Sequence, residues 1–189
     1  MGKNFSVNQN YGERSPLRLK PGDILIFKRN VNNWISRVLS WALRLLESSW
    51  DRWGWHTGYV SKVLPDGTII TVESVIRKGV QTVMYPTLES LGDVRVYRWI
   101  DESSLNALET FTEKHVGRRY DLACYLWTGI QRISLQFLGY CIPRKLNDKY
   151  TCWELVCDMA RAMEKPLQPI SRYPLITDME RALESTRIL

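Results

Sequence analysis

The sequence predicts an α+β domain in which a small antiparallel sheet, or half-barrel, packs against helices. The first observation behind this prediction is a series of strand-like segments joined by short turns, an arrangement in which strands pair antiparallel: 56–64, 68–75, 79–85 and 94–99. The second is a change of period after Asp101, where apolar residues recur at helical spacing through about His115 and again from Leu155.

The chain length fits a single domain. The protein has 189 residues, of which 44% are hydrophobic and 24% charged, as in an ordinary globular protein. We expect a flexible tail at 1–15 and one domain at 16–189, with a Trp-rich helical insertion at about 30–55. Before that insertion, the apolar run 24–27 follows a Pro-Gly turn signal and predicts a first, buried strand.

The insertion contains an amphipathic stretch at 34–50. Its polar residues fall on one helical stripe and most of the others are apolar. Residues 1–60 also hold nine Lys and Arg against four Asp and Glu, and five of the eight tryptophans. The apolar face either packs on the core, which is the usual role of such a face, or makes a peripheral membrane contact. Nucleic-acid binding is not expected, because the basic surplus is small and no recognition motif accompanies it.

A second apolar stretch, 122–142, has a single charge, Arg132. A charge near the centre disfavours membrane insertion, so a buried helix followed by a loop is preferred to a membrane-spanning helix. No basic and apolar leader opens the chain, and we therefore expect a cytoplasmic protein with reduced thiols, at most peripheral at a membrane.

The candidate nucleophile is Cys152. Thr151 suits a helix N-cap and Glu154 follows three residues later, which is the pattern of a capping box. Cys152 then lies in the first turn, where unpaired N–H groups and the helix dipole stabilise a thiolate, the nucleophilic form. The alternative is an inert buried cysteine, the commoner role of a free thiol.

A cysteine nucleophile needs a base, and His56 is the better of the two histidines. It lies at the start of a predicted strand, next to glycines, although many histidines in such places only hydrogen-bond locally. His115 is predicted at a helix C-terminus, where a solvated cation is favoured. Glu73 interrupts an apolar strand and needs a partner there. A bulge or an offset register in the hairpin around Asp66 would place Glu73 beside His56.

Five short motifs, taken in order, resemble the circularly permuted branch of the NlpC/P60 papain-like superfamily. They are Pro21-Gly22-Asp23-Ile24-Leu25, His56-Thr57-Gly58-Tyr59-Val60, Val72-Glu73-Ser74 with Gly79-Val80, Gly117-Arg118-Arg119-Tyr120-Asp121 and Tyr150-Thr151-Cys152-Trp153-Glu154-Leu155-Val156. The resemblance covers about residues 20–163.

The resemblance implies a permuted papain-like fold and a catalytic triad. Cys152 matches the nucleophile at a helix N-terminus, His56 the general base and Glu73 the residue that orients the imidazole. It also implies a cysteine hydrolase, such as a peptidase or amidase, that forms an acyl-enzyme at an amide, ester or thioester bond without a cofactor. The four cysteines and two histidines likewise show no metal-ligand spacing.

Two features depart from the family pattern: the Trp-rich insertion and the bulky Trp153 beside the nucleophile. They favour a small-molecule, peptide or lipid-like acyl substrate over a cell-wall peptide. The candidate substrate-binding residues share an aromatic side chain close to the motifs: Trp55, Tyr59, Tyr120 and Trp153. Tyr59, Tyr120 and Tyr150 are further candidates for an oxyanion donor, beside the N–H of Cys152.

Two other functions remain open at this point. One is a lipid-directed acyltransferase or thioesterase that uses 34–50 as its membrane or acyl-chain contact. The other is a binding module that keeps the fold without turnover. Unactivated thiol chemistry at Cys152 would favour the binding module, and a lack of vesicle binding would remove the main support for the lipid-directed enzyme.

Overall fold

The structure, a computed structural model, describes residues 18–28, 54–99, 101–124, 127, 148–167 and 176–189. The interpretations of the tail 1–15, of the insertion up to residue 53 and of most of 122–142 lie outside these residues. Within the described ranges, no helix is long and apolar enough to cross a membrane.

A five-stranded antiparallel sheet forms the β part of the fold. Its spatial order is β4-β3-β2-β1-β5, and every neighbouring pair is antiparallel. The strands are β1 (Ile24–Lys28), β2 (Gly54–Val63), β3 (Ile69–Val75), β4 (Gly79–Tyr85) and β5 (Val94–Tyr97). All five expected strands are present, although β2 begins two residues earlier and β5 ends two residues earlier than the sequence suggests.

Three helices are described over their whole length, α1 (Leu105–His115), α2 (Cys152–Ala162) and α3 (Ile176–Leu183), and the described residues 122–124 are also helical. Short 3-10 turns lie at 89–91, 102–104 and 184–186. The expected apolar stripe of α2 is buried, with Leu155, Val156 and Met159 fully inaccessible. The α+β class and the antiparallel sheet are therefore confirmed.

The sheet is covered on both faces, because alternate residues of each strand belong to different apolar clusters. Tyr59 and Val72 face each other across β2 and β3 and pack in the cluster that contains the α2 residues. Leu25 and Val60 belong to a second cluster on the other face. The helix that begins at Cys152 thus packs on one defined face of the sheet.

A bulge in β2 sets which side chains share a face. Val63 pairs with Ile69 but Val60 pairs with Thr71, so Ser61 is an extra residue in β2, and its hydroxyl donates to the carbonyl of Ile70 at 3.0 Å. Beyond the bulge, Glu73 stands opposite Gly58. In an unbroken register Tyr59 would stand opposite Glu73 and share its face, and Gly58 and His56 would lie on the other face of the sheet.

The Pro21-Gly22-Asp23 motif has a structural role at the beginning of β1. Asp23 is buried, and its carboxylate accepts two hydrogen bonds from the Arg98 guanidinium, at 3.0 and 2.9 Å, and a third from the backbone of Lys20. This ion pair, buried on the Asp23 side and partly exposed on the Arg98 side, ties the turn before β1 to the residue that follows β5.

Candidate active site

His56 and Glu73 are brought together by the register of β2 and β3. Both side chains lie on the same face of the sheet. His56 is two residues before Gly58 in β2, and Glu73 stands opposite Gly58 in β3. The Nε2 atom of His56 is 2.8 Å from Oε2 of Glu73. The Glu73 side chain crosses over Gly58 to reach the imidazole. The register shift in β2 is one of the two arrangements that the sequence left open for bringing these residues together.

Glu73 is held by three side chains. Its Oε2 atom accepts from His56, and its Oε1 atom accepts from the hydroxyls of Thr71 at 2.6 Å and Tyr85 at 3.1 Å. Burial alone raises the pKa of this carboxyl group, which is only 4% exposed. The hydrogen bond and charge of His56, and the two hydroxyls, outweigh burial and lower the pKa, so Glu73 is a carboxylate at neutral pH.

An aromatic side chain packs beside this pair. Phe27 stands opposite His56 in the β1–β2 ladder, and their ring centroids are 5.5 Å apart at an interplanar angle of 31°. The Phe27 ring also stacks on Tyr85, at 6.4 Å and 28°. Phe27 therefore contacts both the imidazole and one of the groups that hold Glu73.

Cys152 is the first residue of α2, as the sequence predicts, and the capping box is formed. The Thr151 hydroxyl accepts from the backbone N–H of Glu154 at 3.3 Å, and the Glu154 carboxylate accepts from the backbone N–H of Thr151 at 3.0 Å. The other carboxylate oxygen of Glu154 accepts from the thiol of Cys124 at 3.3 Å. The first turn of α2 is thus fixed from both sides of Cys152.

The thiol of Cys152 influences the pKa of the His56 imidazole. Burial of the ring alone lowers the pKa of His56, but the hydrogen bonds and charges of Cys152 and Glu73 outweigh it and raise the pKa to about 10. Cys152 is 1% exposed and the His56 side chain 25% exposed, so solvent meets the pair at the imidazole.

The Gly117–Asp121 motif guides the chain into α2. Tyr120 and Tyr150 form a parallel bridge, with hydrogen bonds from the N–H of Asp121 to Tyr150 and from the N–H of Tyr150 to Arg119. The hydroxyl of Ser74, next to Glu73 in β3, donates to the Tyr150 carbonyl at 2.6 Å. The backbone two residues before Cys152 is therefore tied to the strand that carries Glu73.

The aromatic candidates for substrate contact are placed differently from one another. Tyr59 is fully buried on the α2 face, and its hydroxyl is 3.0 Å from that of Thr112, so the structure does not bring it to His56. Trp153 is 2% exposed within the core. Tyr120 is half-buried beside Tyr150, and Trp55 belongs to β2, next to His56.

The expectation that His115 is solvated was wrong. His115 is 7% exposed at the end of α1, where its Nδ1 lies 2.7 Å from the carbonyl of Phe111 and its ring stacks on the Phe111 ring at 3.9 Å. Burial lowers its pKa. The Tyr150 ring also covers it, edge-on at 5.3 Å. This packing across distant segments overrides the preference of a helix C-terminus for a cation.

Sequence reasoning missed Thr71, Tyr85 and Phe27. Thr71 could have been predicted, because residues two apart in a strand share a face of the sheet and a buried carboxylate needs hydrogen-bond donors. Tyr85 and Phe27 come from β4 and β1, and their approach depends on the pairing registers. No local pattern in the sequence reveals those registers.

Within the described part of the chain, no group of three His, Cys, Asp or Glu side chains is placed to hold a metal ion. In the comparisons with known proteins, no protein-family model matches the sequence, and no curated protein matches it significantly. A function for this chain must therefore be inferred from the chemistry of the site.

Proposed function

We propose that the protein is a cysteine hydrolase that forms an acyl-enzyme on Cys152, on a circularly permuted papain-like fold of the NlpC/P60 type. The observation that carries the proposal is the 2.8 Å contact of His56 with Glu73, which is itself held by two further donors, together with the hydrogen bond and charge of Cys152 that raise the pKa of His56. A thiol, an imidazole and an orienting carboxylate are the parts that nucleophilic catalysis by cysteine requires.

The charges of the site suit the first chemical step. The raised pKa of His56 keeps its imidazole protonated at neutral pH, and Glu73 balances that charge on one side. A thiolate on Cys152 would attack the carbonyl carbon, and the imidazolium would give its proton to the leaving amine, alcohol or thiol. Water deprotonated by the neutral imidazole would then attack the acyl-enzyme, releasing a carboxylic acid and restoring the thiolate and imidazolium.

The start of α2 supplies an oxyanion donor in this scheme. In the capping box the backbone N–H of Glu154 donates to the Thr151 hydroxyl. The N–H of Cys152 lies at the first helical position, where an amide has no acceptor within the helix. It is therefore suited to stabilise the negative charge on the carbonyl oxygen of a substrate attacked at the adjacent thiol.

The test is covalent trapping by a panel of electrophilic acyl probes that present an activated amide, an ester and a thioester. We expect mass spectrometry to locate the acyl group on Cys152, and the reactive members of the panel to report the bond type. Cys157→Ala is the matched control, because Cys157 is a free cysteine on the same helix and should be dispensable. Equal acylation of a Cys152→Ala variant would overturn the proposal.

A further inference from the structure

We infer that Tyr85 is a positioning residue. Together with Thr71 it holds the Glu73 carboxylate so that one oxygen faces His56. The kinetic part of this inference rests on the proposed function. The structural part does not, since it concerns the resting protein.

The two oxygens of Glu73 have different partners. Oε1 accepts from the Thr71 hydroxyl at 2.6 Å and from the Tyr85 hydroxyl at 3.1 Å, whereas Oε2 is 2.8 Å from His56. A quarter turn of the carboxylate about its last bond would break all three hydrogen bonds, and a half turn would only exchange its two equivalent oxygens. The two hydroxyls therefore select the rotamer in which Glu73 meets the imidazole.

Tyr85 reaches Glu73 from the neighbouring strand. In the β3–β4 ladder it stands opposite Ile69, so it shares a face with Thr71 and Glu73. Its ring stacks on Phe27, which also contacts the His56 ring. The pKa of the Tyr85 hydroxyl is raised by burial and by the charge of Glu73, which keeps the phenol protonated as a donor.

A purely structural role for Tyr85 predicts a different outcome. If its hydroxyl only satisfied a buried carboxylate, its loss would lower the free energy of unfolding and leave the imidazole unaffected. If it positions Glu73, its loss weakens the contact with His56. The hydrogen bond and charge of Glu73 raise the pKa of His56, so that pKa would fall.

The experiment is an NMR titration of the His56 imidazole in the full chain, which has two histidines. A Tyr85→Phe variant should titrate at lower pH than the wild type. Tyr97→Phe is the matched control, because the buried hydroxyl of Tyr97 has no hydrogen-bond partner among the described residues. Removing that hydroxyl should leave the His56 titration unchanged.

Kinetics on a probe that acylates Cys152 supply the second readout. The Tyr85→Phe variant should lose about three- to tenfold in kcat, part of the effect of one hydrogen bond to a charged group, with KM unchanged. The alkaline limb of its pH profile should move to lower pH. Thr71→Ser should retain the wild-type profile, and Thr71→Val should shift it as Tyr85→Phe does.

The possible outcomes separate the positioning role of Tyr85 from the proposed hydrolase activity. A folded Tyr85→Phe protein with an unchanged His56 titration overturns the positioning role, whatever the protein's activity. A lowered His56 pKa in a protein that never acylates at Cys152 supports the positioning role and removes the proposed hydrolase. If Tyr85→Phe does not fold, the comparison of Thr71→Ser with Thr71→Val decides the question.

Discussion

The Cγ atom of Glu73 lies 2.7 Å from the point where a Cβ atom would stand on Gly58. That point is also 2.9 Å from the carbonyl oxygen of Val72. Only a residue without a side chain leaves room for Glu73 to cross β2 and reach His56. The glycine in the His56-Thr57-Gly58 motif is thus required by the approach of the carboxylate to the imidazole.

We therefore expect Gly58→Ala to separate Glu73 from His56. The added methyl group should destabilise the fold by about 1–3 kcal/mol, as overpacking does. It should also lower the His56 pKa, because the carboxylate that raises this pKa moves away. Urea unfolding and an NMR titration measure the two effects.

Gly67→Ala is the control for Gly58→Ala. Gly67 has a positive φ of 88° in the β2–β3 turn, and a Cβ there would meet no atom within 4 Å. The substitution should cost about 1–2 kcal/mol of backbone strain and leave the His56 titration where it is. A shift of equal size in both variants would show that general destabilisation, and not the displacement of Glu73, changes the imidazole.

The influence of Cys152 on the pKa of His56 can be tested by removing the thiol. The hydrogen bond to Cys152 is the largest of the influences that raise the His56 pKa. Cys152→Ala should therefore lower that pKa, whereas Cys157→Ala should not change it. The same NMR titration measures both variants. An unchanged titration in Cys152→Ala would show that the thiol does not interact with the imidazole.

The raised pKa of His56 also predicts how stability depends on pH. Since the folded protein binds the proton more tightly than the unfolded chain, the stabilisation by His56 is fully present below its ordinary pKa of 6.5. It is lost as pH rises through the folded value of about 10. The difference in unfolding free energy between wild type and His56→Gln should shrink over this interval. A difference that instead grows would contradict the raised pKa.

Alkylation distinguishes an activated thiol from an accessible one. Cys157 is half-buried and Cys152 is only 1% exposed, so access alone favours Cys157. Burial raises the pKa of the Cys157 thiol to about 12, which leaves little thiolate at neutral pH. We expect iodoacetamide at pH 7.5 to label Cys152 about tenfold faster, because the thiolate is the reactive form.

Peptide mapping of the partly labelled protein gives the two alkylation rates in one sample. His56→Gln should slow the labelling of Cys152 and leave that of Cys157 unchanged, since the pKa of Cys157 is set by burial and by the charges of Asp158, Arg161 and Glu154. Faster labelling of Cys157 in the wild type would favour the binding module over the enzyme.

Local sequence patterns were sufficient to predict much of the fold and part of the candidate site. The capping box links Thr151 and Glu154, three residues apart, so its geometry depends on one helical turn and could be predicted from the sequence. The strand positions likewise follow from composition and turn signals over short stretches. In each case the interacting groups are close along the chain.

The remaining features depend on pairing between distant segments. The bulge at Ser61 carries no Gly or Pro signal, yet it decides which residues of β2 share a face of the sheet with Glu73. The contact of Tyr85 with Glu73 depends in turn on the β3–β4 register. His115 is buried because Phe111 and Tyr150 cover it, and the second of these comes from 35 residues further along the sequence. The periodicity of one segment gives no information about contacts between segments that are far apart in the sequence.

The helix cap offers a test of how firmly Cys152 is held. Thr151→Ala removes the hydroxyl that accepts from Glu154 N–H and donates to its carboxylate, at 3.3 and 2.9 Å. Loss of such a cap should lower the unfolding free energy by about 0.5–2 kcal/mol. Thr151→Ser keeps the hydroxyl and should recover most of that stability. Urea unfolding of the three proteins gives the comparison.

The same variants separate stability from the geometry of the first turn. If the cap also fixes the Cys152 thiol against His56, Thr151→Ala should lower the His56 pKa and slow the alkylation of Cys152, and Thr151→Ser should restore both. Loss of stability with an unchanged imidazole would limit the cap to holding the helix. The thiol would then be positioned by the links from Tyr150 to Ser74 and Arg119, which bind the backbone just before α2.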